Sequence, residues 1–363
     1  MKIALVSHTS LYWTELYARF FASHGHDVRV ISLSHEPSLD GIAVDVVGHG
    51  TPTRLKVFAY LRRVPGVRRQ LRRFGPDVVM ATYVSSNGLI AALCGASPLL
   101  VSAHGSDVLT SPGGAWLHGR MMRFACRSAD IVHAVSPAIA DALVDSGAAR
   151  KSIRCFPIGI DTEQFRPQPE PGADHGLPRL VCTRNQAPVY GNATIILALK
   201  ELRDQDGIAL RAVLLGGGPL LAERRAQVAE LGLDDLVELP GRVPLDNVRR
   251  ALQEADIYVS ASSSDGASSS LLEAMACGLF PVVSDIPGNR DWIDDGSTGL
   301  LFAVGDAHGL AAALRRAVSD DALRATARER NRARVIADGN LATNMAVMEQ
   351  LLVELAPRRP QVP

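Results

Sequence analysis

Cysteine is scarce in this chain and shows no pairing pattern. The 363 residues hold five (Cys94, Cys126, Cys155, Cys182 and Cys277), an odd number, widely spaced, with no Cys-x-x-Cys among them. Each lies in or beside an apolar stretch, which argues for reduced thiols in a core and against a disulfide scaffold or a cysteine metal site. Net charge is also missing. The 38 Lys and Arg balance 38 Asp and Glu, so no global field favours nucleic acid as a partner. No apolar run approaches the ~18 residues of a membrane span. The opening Met1-Lys2-Ile3-Ala4-Leu5-Val6, followed by polar Ser7-His8-Thr9, reads as a first strand and not as a signal peptide. A cytoplasmic protein is the expectation. That first strand does not lead into Gly-x-Gly-x-x-Gly, and the later Gly216-Gly217-Gly218 run lacks a third glycine at the required spacing. Both absences count against a nicotinamide dehydrogenase.

What is present describes a folded, two-domain protein. Hydrophobic residues make up 47% and charged residues 21%, ordinary values for a globular chain too long for one compact core. Charge is divided unevenly. Residues 1–165 carry 17 Lys and Arg against 12 Asp and Glu, leaving 21 against 26 for the rest. One half therefore suits an anionic partner.

Short apolar runs alternate with helical patterns twice over. The first series is Lys2–Ser7, Val28–Leu33, Ile42–Val47, Val78–Thr82, Leu99–Ala103, Ile131–Ala134 and Ile153–Pro157. Helical patterns at Thr14–His24, Gly114–Arg127 and Pro137–Gly147 lie between them. The second series is Leu180–Thr183, Leu210–Leu214, Val237–Leu239, Ile257–Ser260, Pro281–Ser284 and Leu300–Phe302. Between the two, residues 166–178 hold four prolines in 13 positions. The pattern predicts two doubly wound α/β domains, at 1–165 and 179–339, joined by a linker at 166–178. Residues 340–363 form a last helix, about Asn340–Leu355, placed to cross back to the first domain. Ligands of such sheets bind at the carboxyl ends of the strands.

The most informative stretch is Ser262-Ser-Ser-Asp265-Gly266-Ala-Ser268-Ser269-Ser270-Leu271-Leu272-Glu273-Ala-Met-Ala-Cys277-Gly278-Leu-Phe-Pro281. It follows a strand and opens a helix at about Ser269. The free N–H groups and positive dipole end of a helix suit a diphosphate. Asp265 stands in the turn before the helix, and Glu273 lies one turn inside it. The plain structural alternative is a capping serine followed by an acidic residue in the first turns.

Placed together, these residues resemble the signature of the family-4 retaining glycosyltransferases, which have the GT-B fold. Asp265 and Glu273 match the family's two acidic positions. Gly266 and the Ser268–Leu271 backbone match its phosphate-binding turn. Three further segments match in order. His104-Gly105-Ser106-Asp107 is similar to the family's His-Gly-Ser/Thr-Asp loop, whose histidine faces the transferred sugar. Arg184 stands where the family puts an arginine on the diphosphate. Gly216-Gly217-Gly218-Pro219 and Pro240-Gly241-Arg242-Val243 resemble its nucleotide-holding loops.

The resemblance implies a retaining transferase that uses a nucleoside diphosphate sugar, UDP-linked before GDP-linked, and a hydroxyl acceptor. It implies no cofactor and no metal. His104, Asp265 and Arg184 are the catalytic candidates. Donor contacts fall to Gly216, Gly218, Arg242, Gly266, Ser268, Ser269, Ser270, Leu271, Glu273 and Tyr190. Ser7, His8, Thr9 and Asp107 fall on the acceptor side. Three departures stand out. Asp265 replaces the usual Glu, the loop after the first strand has no Gly-Gly, and Tyr190 replaces a phosphate-binding lysine. Arg290 is a candidate for the missing charge. An epimerase or phosphorylase of the same fold, or a weakened sugar-nucleotide-binding protein, is the alternative.

One motif lies outside this set. Residues 54–73 carry eight basic residues and no acidic one, with Phe58, Leu61 and Leu71 at roughly helical spacing. Such a segment can attach a protein to an anionic membrane, here the inner face of the plasma membrane. A solvated arginine-rich helix or a site for a phosphorylated acceptor would use the same residues.

Overall fold

The computed structural model describes residues 1–33, 39–47, 61–109, 115–168 and 178–356. Arg54, Lys56 and Phe58 of the basic segment, and residues 169–177 of the proline-rich stretch, lie outside the described residues.

The first series of strands is β1 (Lys2–Ser7), β2 (Asp27–Ser32), β3 (Ala43–Val46), β4 (Val78–Thr82), β5 (Leu99–Ala103), β6 (Ile131–Ala134) and β7 (Ile153–Cys155). They pair in parallel in the order β3-β2-β1-β4-β5-β6-β7. The second series is β8 (Leu180–Cys182), β9 (Ala212–Leu215), β10 (Val237–Gly241), β11 (Ile257–Ser260), β12 (Phe280–Ser284) and β13 (Leu300–Phe302). It forms a second parallel sheet in the order β10-β9-β8-β11-β12-β13. In each sheet the strand order reverses once, at β1/β4 and at β8/β11. Central strands β4, β5 and β12 are buried along their whole length, which is why they read as unbroken apolar runs.

Local chemistry sets the helices. Helix Val64–Phe74 has Pro65 in its first turn and ends on Gly75 at φ 62°, the Pro-in, Gly-out asymmetry that helix ends favour. Its residues Val67, Leu71 and Phe74 are buried. Lys2 and Arg29 both lie over the Phe74 ring. The apolar face of this basic helix is therefore spent on its own sheet, and the arginines Arg68, Arg69, Arg72 and Arg73 face outward.

The chain divides into one unit made of Met1–Pro157 with the chain from Thr343, and a second made of Ile158–Ala342. Passage between them thus occurs at Pro157–Ile158, ahead of the proline-rich stretch. The reason is burial. Ile160 and Phe165 sit in the second unit's core with Leu271, Leu272, Trp292 and Val335, and Ile160 bridges Asn340. Helix Leu341–Leu355 buries Met345, Met348, Leu351 and Leu352. It is pinned within the first unit by a 2.7 Å hydrogen bond between Glu349 and His26 and by Asn344 donating to the Pro157 carbonyl.

Candidate active site

In the second unit the polar groups gather at the carboxyl ends of β8 and β11, the switch point. Helix Ser269–Ala276 begins there, and its cap is Ser268, whose hydroxyl accepts from the Leu271 N–H. Arg184, two residues past β8, reaches across to the same turn. Its guanidinium donates to Ser268 Oγ at 3.1 Å and Ser270 Oγ at 2.9 Å, and pairs with Asp265 Oδ2 at 2.6 Å. Tyr258 reinforces Ser270 from below at 2.8 Å. Asp265 Oδ1 accepts from the Gly266 N–H. The Tyr190 ring lies against the guanidinium, 4.3 Å from ring centroid to Cζ.

Glu273 is on the next turn. Its carboxylate has no hydrogen-bond partner among the described residues, and burial pushes its pKa up to about 7, with Arg184 pulling the other way. A half-buried carboxyl without a hydrogen-bond partner beside a helix N-terminus is poised to accept hydroxyl donors.

Glycines bring the surrounding loops together. Gly216 has φ 107°, and a Cβ there would stand 2.7 Å from the Arg184 carbonyl oxygen. Gly218, at φ 147°, packs the same way on Gln186. The contact is bonded in both directions, Gln186 N–H to Gly217 O and Leu220 N–H to Gln186 O. Only glycine combines this backbone region with so close an approach. Gly288 likewise lies against the Asp265 and Gly266 carbonyls. Arg242 is exposed beside Gly217 and has no ion-pair partner among the described residues.

The first unit has a polar row of its own. Register places Ser32, Ser7, Thr82, Ser102 and His133 side by side at the ends of β2, β1, β4, β5 and β6, all essentially sealed from solvent. Hydrogen-bond direction can be assigned along it. Thr14 donates to the His8 carbonyl at 2.7 Å, so Ser7 donates to Thr14, Thr82 donates to Ser7 and Asn87 donates to Thr82. This chain ties down the His8 loop. Next to it, the ring of His104 stacks on Tyr83 at 5.0 Å. Tyr83 holds φ 64°, a left-handed conformation that costs a bulky residue of order 1–3 kcal/mol and clusters at functional sites.

These positions revise several roles. Ser7 is 1% exposed with its hydroxyl committed at both ends, so it organises the loop and does not touch an acceptor. Asp107 is enclosed too. Its oxygens accept from the Val84, His104 and Gly105 N–H groups, which hold the loop's shape while desolvation raises its pKa. Thr9 is buried and meets Ser32. Arg290 is not a spare cation, because both its contacts go to Asp285. An Asp-x-Asp tripeptide does occur, at Asp204-Gln205-Asp206, but it closes helix Asn192–Asp206. There Asp204 pairs with Lys200 and Asp206 with Arg315. Among the described residues no group of three or more His, Cys, Asp or Glu is arranged to hold a metal ion.

Tyr83, Thr82, Ser102 and His133 were not singled out by sequence reasoning. The available signal was four strands that each end an apolar run with a hydroxyl or histidine: Val6-Ser7, Ala81-Thr82, Val101-Ser102 and Val132-His133.

Two doubly wound parallel sheets, with their polar groups gathered at the carboxyl ends where strand order reverses, define the class of α/β proteins that bind nucleotide-type ligands there. The comparisons narrow this. Residues 13–164 match the family model for Glycosyltransferase Family 4, and residues 165–334 match that for Glycosyl transferases group 1. The chain belongs to this glycosyltransferase family. It is 29% identical over 230 residues to the GDP-mannose-dependent alpha-(1-6)-phosphatidylinositol monomannoside mannosyltransferase of Mycobacterium tuberculosis. That match spans 58% of this chain and 58% of the relative, less than two thirds of either. Over 335 residues it is 24% identical to the N-acetyl-alpha-D-glucosaminyl L-malate synthase of Bacillus anthracis, covering 88% of this chain and 86% of the relative. The fold is that of Anabaena HepE, solved with UDP, at a TM-score of 0.81 and 19% identity over 98% of this chain and 100% of that one. Sucrose-phosphate synthase from Thermosynechococcus elongatus gives 0.80 at 20% identity, over 98% and 99% of the two chains. These are GT-B glycosyltransferase folds.

Proposed function

We propose that this protein is a retaining glycosyltransferase that moves a sugar from a nucleoside diphosphate sugar, a UDP-sugar first, to a hydroxyl acceptor. The acceptor belongs to a cell-surface glycan or glycolipid, or is a small molecule that becomes a glycoside. The observation that carries this reading is the cluster of Arg184, Asp265, Ser268 and Ser270 at the N-terminus of helix Ser269–Ala276, with unpartnered Glu273 one turn inside.

In this reading the N–H groups of Ser269 and Ser270 meet the diphosphate, and Glu273 accepts from the ribose hydroxyls. As the bond from the anomeric carbon to the β-phosphate oxygen breaks, negative charge builds on the phosphate and positive charge on the sugar. The helix end and Arg184 face the first, and Asp265 faces the second. His104 accepts from a hydroxyl of the transferred sugar. These charges answer the leaving group without a metal ion. The solved neighbour bound to UDP and the relative that is GDP-mannose-dependent support a nucleoside diphosphate sugar and leave the base to experiment.

A second reading, a sugar-nucleotide-binding protein with weakened chemistry, is favoured by one observation. Arg184 is already matched by Asp265, and Tyr190 brings no charge. Incubation with UDP-glucose, UDP-galactose, UDP-N-acetylglucosamine and GDP-mannose, reading nucleoside diphosphate release and donor binding, separates the two. Release with one donor, and an anomeric proton signal of unchanged configuration in the product, supports the transferase. Tight binding without release supports the weakened protein, and no binding by any donor sinks both.

A further inference from the structure

The buried His133 of β6 is not part of the functional reading above, yet it is hydrogen-bonded at both ring nitrogens. Its Nε2 lies 2.8 Å from the Phe156 carbonyl oxygen, and its Nδ1 lies 2.8 Å from Ser102 Oγ. Ser102 Oγ in turn lies 3.2 Å from His104 Nε2. Strand pairing enforces the first link, since Ser102 and His133 are direct partners across β5 and β6. The Phe156 ring packs on His133 at 4.3 Å and closes its far side.

Each bond has a direction. A carbonyl oxygen only accepts, so His133 carries its proton on Nε2. A neutral His133 then has a bare Nδ1, which takes the Ser102 hydroxyl proton. With that proton committed, Ser102 Oγ can only accept from His104, which places the His104 proton on Nε2. Neutrality of both rings follows from their surroundings. Around His104 stand Trp13, Tyr17 and Tyr83, and the oxygens of Asp107 are turned to backbone N–H groups. Desolvation lowers the His133 pKa to about 4; it lowers that of His104, with a contribution from His133, to about 3. The remaining atom, His104 Nδ1, has no hydrogen-bond partner among the described residues, and the residue is only half-buried.

We propose that His133, acting through Ser102, is a positioning residue that locks His104 as its Nε2–H tautomer and so presents Nδ1 as a lone-pair acceptor for a sugar hydroxyl. The inference rests on the reading of His104 as a sugar contact. It adds a selectivity: the favoured donor carries a free hydroxyl at that position. A deoxy or deoxyfluoro analogue there loses the bond, because neither can donate to Nδ1.

The test is long-range proton–nitrogen correlation NMR on the full chain labelled with 15N-histidine, with His104 assigned by its loss in His104→Gln. The expected spectrum has His104 protonated at Nε2 and bare at Nδ1. In His133→Phe the Ser102 proton is released to His104 Nε2, the His104 proton moves to Nδ1, and turnover falls about tenfold, the size of one lost hydrogen bond in the transition state. His133→Asn, whose Oδ1 falls near the Nδ1 position, retains the wild-type tautomer and most of the turnover. A His104 proton on Nδ1 in the wild type, or a tautomer unchanged in His133→Phe, overturns the proposal. Should His133→Phe not fold, Ser102→Ala serves instead. A mixture of tautomers is then expected, and a pure Nε2–H form would overturn the proposal. If the tautomer shifts as expected while His104→Ala keeps full turnover, the relay stands and the sugar contact is what fails.

Discussion

Burial of Glu273 has opposite consequences for stability and for binding. Its folded pKa of about 7 stands above the ordinary carboxyl value of 4.5, so the native state binds the proton more tightly than the unfolded chain. Stability from this group is complete below about pH 4.5 and is lost as pH rises through about 7. Glu273→Gln should therefore raise thermal stability more at pH 8 than at pH 5, by on the order of 1–3 kcal/mol. The same variant should weaken nucleoside diphosphate binding. In the wild type that binding should strengthen as pH rises through about 7, because only the ionised carboxylate accepts two ribose hydroxyls. Calorimetric titration between pH 5.5 and 8 checks this, and a flat profile would remove Glu273 from the ribose. Its neighbour Asp265 is a second case. Its pair with Arg184 is largely buried, with side chains 18% and 12% exposed, and removing one partner of such a pair typically costs about 3 kcal/mol. Asp265→Asn should lower the melting temperature and slow turnover. It should also raise affinity for the nucleoside diphosphate product several-fold, since Arg184 regains an unmatched charge. Unchanged product affinity would show that the diphosphate binds away from Arg184.

Loop-to-loop contacts form the site's frame at the scale of elements. The turns after β8 and β9 interlock through Gly216 and Gly218, where a side chain would strike the Arg184 or Gln186 backbone. Gly218→Ala should destabilise the second unit by about 2–4 kcal/mol, through backbone strain and collision together. It should also weaken nucleotide binding, because Arg184 is displaced with its loop. Gly232→Ala is the control. That position has φ 62° but nothing within 4 Å, so it should cost only about 1 kcal/mol and leave binding intact. Denaturant melts of both variants decide the matter. Equal losses would mean that strain alone, and not the interlock, makes Gly218 necessary.

At the scale of the molecule, no helix among the described residues is long and apolar enough to cross a membrane. The basic helix Val64–Phe74 has already spent Val67, Leu71 and Phe74 on its own sheet. Attachment to anionic lipid through this helix would then be electrostatic and shallow, without insertion of its apolar face. Arg68 is also engaged, donating to the Leu93 and Cys94 carbonyls, so the outward charge is better sampled at Arg62, Arg69, Arg72 and Arg73. Co-sedimentation with phosphatidylserine vesicles at low salt should be lost by 0.5 M salt, where the Debye length falls to ~4 Å. It should be several-fold weaker in a variant with those four arginines changed to Gln. Binding that survives high salt would point to an inserted apolar segment instead, and no binding at low salt would leave this face to a soluble phosphorylated acceptor or to solvent.

The sequence by itself determined the two parallel sheets, because buried strands must be continuously apolar and their alternation with helices leaves little topological choice. It also determined the turn and helix start proposed to hold the donor, where Ser268, Asp265 and Glu273 lie within nine consecutive residues and their spacing is local. Only the tertiary structure decided what those residues touch. Arg184 meets Asp265 from 81 residues away, and His133 reaches His104 through a serine 31 residues distant. Such pairings arise from strand register and loop approach, which no local pattern encodes. The unit boundary at Pro157–Ile158 was hidden for the same reason. Composition marks where a chain is rich in proline, whereas Ile160 and Phe165 are assigned to the second unit by the core that covers them.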